Sequence, residues 1–355
     1  MTVRGTNRQR NSGTSWICLF AAFIIYFGCS TSAAGGEKTD RVVLRNGDRL
    51  TCEVKKLESG LLEVSTDDMG TISVEWDKVA ELESKGQFEV ELTDGVVHFG
   101  SLGNSSMPAL MSVTSDTLAI LISRSDVVKL IPIKAGFWER LDGSASLGFS
   151  YTKASTLLQL NASANVIYRG RSKESELNMN SVITAQEGAD QTQRFDFSFD
   201  QSFLFNGRWF GTGGAGLQRN TALELDARLL AQVVGGNQVV QSNTNWLSIG
   251  AGLSANREWL GGEDQDMYNL EALTTLSHSK FRYDKPHVNL VSKLTTYYNL
   301  THRGRFRLEF NTNLSWEIFT DFYVRFSLYD SYNNSPPPGA PQNDWNTSFS
   351  LAYSF

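Results

Sequence analysis

The sequence predicts an all-β protein: a transmembrane antiparallel β-barrel of about twelve strands preceded by two small SH3-like or Sm-like β-barrel repeats. Three observations predict it. Long segments that alternate apolar and polar residues run from Leu141 to the last residue. Two shorter units, punctuated by Asn46-Gly47 and Asp94-Gly95, precede them. A basic and then apolar leader opens the chain.

Composition sets the bounds. The chain has 355 residues, 41% hydrophobic and 20% charged, with 30 Gly and 21 Phe against 7 Pro. That is too apolar for disorder and too polar for a bundle of membrane helices. The formal charge of −6 offers no basic footprint, so no nucleic acid is expected as a partner.

In the leader, Arg4, Arg8 and Arg10 stand without acids, an apolar stretch runs from Trp16 to Gly28, and small residues follow from Cys29 to Gly36. This order reads as a secretory signal peptide over residues 1–34, cleaved near Ala33 or Ala34. Lipidation at Cys29 is the rival route, against which the bulky Tyr26 and Phe27 stand. Cleavage removes three arginines and no acid, taking the formal charge from −6 to −9. It also removes Cys18 and Cys29. Cys52 is then the one thiol and no intramolecular disulfide is expected; with no His near it, Cys52 reads as a small buried strand residue. No later apolar run is long enough for a membrane helix.

Residues 35–84 form the first small unit. Arg41–Leu44 and Arg49–Val54 flank Asn46-Gly47, the strongest short hairpin signal, and Leu61–Thr66 and Gly70–Trp76 add two strands. Residues 85–137 form a looser copy, in which Phe88–Gly95 aligns with Val42–Gly47 and Ser125–Leu130 with the stretch after Trp76.

Residues 138–355 change texture. Phe195, Phe197, Phe199, Phe203 and Phe205 share one parity, while Arg194, Asp196, Ser198, Asp200 and Ser202 share the other. Side chains alternate across a strand, so one face is aromatic and the other polar. Twelve such segments are expected: 141–152, 156–169, 175–186, 192–205, 208–219, 223–234, 244–256, 266–278, 287–300, 305–318, 321–332 and 343–355. Pro286, Pro336, Pro337, Pro338 and Pro341 all fall between them, where no ladder is needed. Asn206-Gly207 and Gly235-Gly236-Asn237 read as tight turns. A soluble sandwich also alternates, but its strands are typically about five or six residues, whereas membrane strands need about nine to eleven and an even count.

An even count puts both chain ends on the periplasmic side of a bacterial outer membrane. The small repeats are then periplasmic, Asn206-Gly207 is a periplasmic turn, and Arg257–Gln265 and Asn333–Gln342 are outer loops. Trp138, Trp209, Trp246, Trp259, Trp316 and Trp345 suit interface girdles.

The stretches Asp40–Thr51 and Gly70–Val79, with a last strand ending in aromatic-x-Phe, resemble the YdiY-like salt-induced outer membrane proteins, a domain-of-unknown-function family. Cys52 stands where a Gly is more usual. The resemblance implies an outer-membrane location and a link to salt or envelope stress. It brings no catalytic residues. The end of the chain, Leu351, Tyr353 and Phe355, resembles the signal read by the barrel-assembly machinery.

No HExxH, GxSxG or P-loop pattern occurs, and His98, His278, His287 and His302 form no metal spacing, so no cofactor, metal or catalytic set is expected. One alternative is a lipid-modifying enzyme built on outward-facing His278 and Ser292, neither with an evident Asn or acid partner. The polar face supplies the candidate lumen: Asp196, Asp200, Glu224, Asp226, Glu271, Glu309 and Glu317, with Arg194, Arg228, Lys293, Arg307 and Arg325. Charges of both signs suit a narrow pore for ions or small solutes and equally suit a plug of ion pairs. The expected function is an outer-membrane barrel in contact with lipid, serving envelope integrity or the salt-stress response. A secreted β-sandwich binding protein is the third reading, and any periplasmic partner stays open.

Overall fold

The computed structural model describes residues 38–353 except 106, 108, 116–117, 135, 171, 206, 222–224, 261–266 and 337–341. The expected signal peptide, Glu224 and Phe355 therefore lie outside the described residues.

Nine strands come first: β1 (Asp40–Leu44), β2 (Arg49–Glu58), β3 (Leu61–Thr66), β4 (Gly70–Glu75), β5 (Val79–Leu92), β6 (Val97–Asn104), β7 (Leu110–Thr114), β8 (Ala119–Ser123) and β9 (Val127–Pro132). They pair in the order β4-β3-β2-β1-β5-β6-β7-β8, with β9 against both β2 and β5. The two expected repeats are fused. β5 closes the first and opens the second, and one apolar cluster, from Val42 through Trp76 and Phe88 to Leu130, serves both. Each buried Val or Leu there contributes about 1.5–3 kcal/mol. Cys52 lies inside this core, fully buried and outside any disulfide.

The repeat is visible in its turns. Gly47 (φ +94°) donates to the Leu44 carbonyl, and Gly95 (φ +79°) to the Leu92 carbonyl. Asn46 and Asp94 each accept from the backbone N–H two residues on. A short side-chain acceptor followed by a residue free to take positive φ makes the same turn twice. Matching 3-10 turns, Trp76–Lys78 and Arg124–Asp126, precede β5 and β9.

Twelve strands follow: β10 (Leu141–Thr152), β11 (Leu157–Gly170), β12 (Lys173–Gln186), β13 (Thr192–Phe205), β14 (Trp209–Asn220), β15 (Leu225–Gln241), β16 (Asn245–Leu260), β17 (Met267–Arg282), β18 (Val288–Asn299), β19 (Phe306–Phe319), β20 (Phe322–Asn333) and β21 (Asn343–Tyr353). They form one antiparallel sheet in sequence order. A sandwich needs two sheets packed face to face, and this is a single sheet. β10 and β21 are its two edges; among the described residues no ladder joins them.

Two expectations are corrected. Gly235-Gly236-Asn237 is not a turn but lies inside β15, and Ser242–Thr244 makes the reversal. Gly236 fits there because a Cβ would meet the Phe210 ring and the Ile249 carbonyl at 2.5 Å, so a glycine seats the aromatic side chain. Arg257–Leu260, expected in a loop, belong to β16, whose ladder with β15 runs on through Arg228 opposite Glu258, an ion pair, to Leu225 opposite Leu260.

The sheet is apolar outside and polar inside. Phe199, Phe203, Leu217, Leu229, Leu253, Leu270 and Leu276 are exposed, while Ser254, Asn256, Glu258, Asn269, Glu271 and Asn299 are buried on the opposite face. Exposed apolar area on this scale exceeds the few hundred Å² typical of a soluble monomer. Trp209, Trp316 and Trp345 are exposed with it, but Trp246 shares the parity of Ser248 and Ser254 and faces inward, which removes it from the expected girdle.

Candidate functional site

The candidate site is the polar inner face of the twelve-stranded sheet, where two clusters form at opposite ends. At the end bearing the β14–β15, β16–β17 and β18–β19 connections, which we call the far end, Arg307 on β19 donates to both carboxylate oxygens of Glu271 on β17, Nη2 at 2.6 Å and Nε at 3.1 Å. Glu271 is 1% exposed and accepts a third bond from Asn256, 3.1 Å. Asn256 accepts from Asn269, and Asn269 accepts from Asn299 at 2.8 Å and from Arg305 at 3.1 Å. Arg307 also lies 4.4 Å from the Tyr297 ring and 3.7 Å from Glu309. Beside this chain Arg228 holds Glu258 and Gln218. A bidentate carboxylate–guanidinium pair with its remaining lone pairs filled is the arrangement in which buried charges persist.

The other candidate lumen residues are dispersed. Arg194 and Asp196 pair with each other at 2.9 Å on β13. Asp200 stands opposite Gly214, which has no room for a Cβ beside that carboxylate. Lys293 on β18 and Arg325 on β20 are exposed on the inner parity, opposite Ser277 and Ser315. Asp226 sits in the β15 bulge and is exposed, away from the Arg228 pair. Glu317 is buried, but its carboxylate accepts from the backbone N–H groups of His287 at 3.0 Å and Asp321 at 2.9 Å. It clamps two turns at the near end and is not a free lumen charge. Leu351 and Tyr353 are exposed on the outer parity of β21.

At the near end the N-terminal domain sits on the hairpin turns. Ser172, after β11, donates its N–H to Glu89 at 3.0 Å. Gln241, at the end of β15, donates to Glu91 at 2.6 Å, both buried. Asn243 bonds the Val127 carbonyl and Tyr283 the Ser59 carbonyl, each 2.8 Å. Gly95 and Gly60 abut Arg208 and the Asn243 carbonyl so closely that neither has space for a Cβ. Lys78 bonds Asp284 at 2.7 Å. That hydrogen bond holds the Asp284 carboxyl below the usual carboxylate range and raises the Lys78 ammonium.

Glu75, Asp77 and Asp284 bring three carboxylates within 4.8 Å, but Lys78 lies 3.8, 3.7 and 2.7 Å from them and supplies the positive charge. On the outer face His278 and Ser292 are register partners. His278 does find an Asn, 2.9 Å from Asn245, which its position 33 residues away conceals in the sequence. The Ser292 hydroxyl lies 2.7 Å from Thr312.

Between the N-terminal domain and the inner face lies a cavity of about 370 Å³, lined from below by β11 to β17 and from above by Glu58, Glu89, Lys129 and Ile131. Sequence reasoning missed this chamber because its two walls are unrelated in sequence.

No curated protein and no solved structure matches the chain. A family model, described as a protein of unknown function, DUF481, matches residues 145–355, which takes in nearly all of the twelve-stranded sheet. The expected YdiY-like resemblance is consistent with that match. The chain belongs to the DUF481 family.

Proposed function

We propose that this protein is a barrel of the bacterial outer membrane, with its N-terminal domain on the periplasmic side, and that this domain keeps the near mouth closed at rest. The observation that carries the reading is the inside-out sheet: exposed Phe, Leu and Trp on one face and buried Glu, Asn and Ser on the other. Only a lipid surround makes that arrangement favourable. Strands of 11 to 17 residues meet or exceed the about nine to eleven needed to cross the hydrocarbon core.

The cap supports the closed state, since the N-terminal domain bonds to turns after β11, β15 and β17 and packs on the turn after β13. Conduction of ions or small solutes then requires the cap to lift and the Arg307–Glu271 cluster to loosen. The role in envelope integrity under salt stress rests on the family resemblance alone. Leu351 and Tyr353, with Phe355, are the proposed contact for the barrel-assembly machinery.

The test is fractionation with heat modifiability. The full chain should enter the outer-membrane fraction and run compact on a gel until boiled. Recovery in the soluble periplasmic fraction would overturn the proposal.

A further inference from the structure

A second cavity, of about 310 Å³, lies where the N-terminal domain meets the turns after β15 and β17, and it differs from the first in its charge. Three arginines line it: Arg45 after β1, Arg124 before β9 and Arg282 at the end of β17. Among the described residues none of the three forms an ion pair. The carboxylates of the same cavity, Glu75, Asp77 and Asp284, are all engaged by Lys78, at 3.8, 3.7 and 2.7 Å. With Lys78 the wall holds four cations against three acids, and the arginines are the charges left over.

The backbone fixes two of these arginines beside one cavity. The Arg45 N–H donates to the Lys78 carbonyl, and the Arg124 N–H to the Ala109 carbonyl. The Arg124 carbonyl accepts from Trp76 Nε1 at 2.9 Å, and Arg124 Nη1 donates to the Ala80 carbonyl. Arg45 is exposed and Arg124 half-buried, so both guanidiniums can be reached by a solute. They also act on each other. Burial, and next the Arg45 charge, push the Arg124 guanidinium below its ordinary value, with Glu81 opposing. An anion between two like charges replaces one repulsion by two attractions.

The number of arginines selects the anion. A carboxylate offers two oxygens in one plane, and a single guanidinium fork takes both. A phosphoryl group spreads three oxygens and nearly two charges over a tetrahedron, so it serves two arginines at once. We infer that this cavity binds one phosphoryl group, as free phosphate or as a small phosphate monoester, between Arg45 and Arg124 of the N-terminal domain and Arg282 of the barrel. The inference rests on the capped-lumen reading and deepens it, because an anion gripped from both bodies holds the cap on its seat.

The experiment is isothermal titration of the whole protein in detergent with inorganic phosphate, with sn-glycerol 3-phosphate, and with succinate as the carboxylate counterpart. Arg45→Gln and Arg282→Gln each remove one guanidinium, and Arg41→Gln removes an exposed charge outside the cavity. Folding of each is verified by heat modifiability; Arg124→Lys, which keeps the charge and loses the fork, replaces any variant that fails to assemble. The expected result is saturable binding of a phosphate probe, weaker binding of succinate, a loss of about tenfold in affinity in both cavity variants, and none in Arg41→Gln. Tighter binding of glycerol 3-phosphate assigns a monoester, and tighter binding of phosphate the free ion. No saturable binding of either phosphate probe by the folded wild type overturns the inference, as does unchanged affinity in the folded cavity variants or a preference for succinate. A wild type that conducts freely overturns the capped-lumen reading whatever it binds. A silent wild type that binds neither phosphate probe overturns this inference alone.

Discussion

Arg307 on β19 reaches over β18 to grip Glu271 on β17 with two hydrogen bonds, 2.6 and 3.1 Å. The pair ties together two strands that are not ladder neighbours, across the width of β18. With Glu271 1% exposed, the pair is a strong constraint on the far end of the lumen.

Removing one partner leaves the other charged and buried. Glu271→Ala should lower the unfolding free energy in detergent by about 3 kcal/mol, read from urea denaturation. Arg307→Ala should do the same, and the double substitution should cost less than the sum because the pair acts as a unit. Additive effects would show that the two residues do not share a bond.

The outer face is tested by a pair of neighbours. Phe199 is exposed on the apolar parity of β13 and Ser198 lies on the inner one. Phe199→Arg should block assembly, with a penalty of about 2–4 kcal/mol near the bilayer midplane. Ser198→Arg should assemble. Equal outcomes on a heat-modifiability gel would mean that the faces are reversed.

The cap is tested through two glycines with the same backbone need. Gly47 and Gly95 both hold positive φ, so alanine strains each turn alike. Only at Gly95 would the new Cβ strike Arg208 of the barrel; at Gly47 nothing lies within 4 Å. Gly95→Ala should therefore speed hydrogen exchange in the β13–β14 turn, and Gly47→Ala should not. The same exchange in both variants would contradict the docking.

The seam between β10 and β21 has a definite expectation in lipid. Unpaired strand edges in hydrocarbon are unfavourable by several kcal/mol per group, so the two edges should pair in the membrane. A cysteine at Ser146 should form a disulfide with a cysteine at one register along β21, since bridging needs Cα atoms about 4.4–6.8 Å apart. Absence of any cross-link along the strand would show an open seam.

Much of this architecture is legible in the sequence, and the reason is periodic. Alternation such as Phe195 to Phe205 is a local signal, so all twelve segments emerge, although β15, β16 and β17 run four to seven residues beyond their expected ends at 234, 256 and 278. Glycine misleads at Gly236, because a glycine that seats Phe210 looks like a turn residue when read alone. The site was less legible. Which inner charges meet is decided by register and curvature, and Arg307 and Glu271 lie 36 residues apart. The cap is not legible because its contacts join residues far apart in the chain, Gln241 with Glu91 and Lys78 with Asp284, and others end on the backbone carbonyls of Ser59 and Val127, which any sequence would provide.

The most direct measurement is single-channel recording in a planar bilayer. The account predicts that the wild type stays silent, and that the combination of Gly95→Ala with Arg307→Ala opens steps of conductance by freeing both ends. With Arg307 removed, the inner acids that remain should favour cations, an effect that weakens as salt rises because charges there are screened over about 8 Å at physiological ionic strength. Stable open conductance in the unmodified protein would contradict the closed barrel.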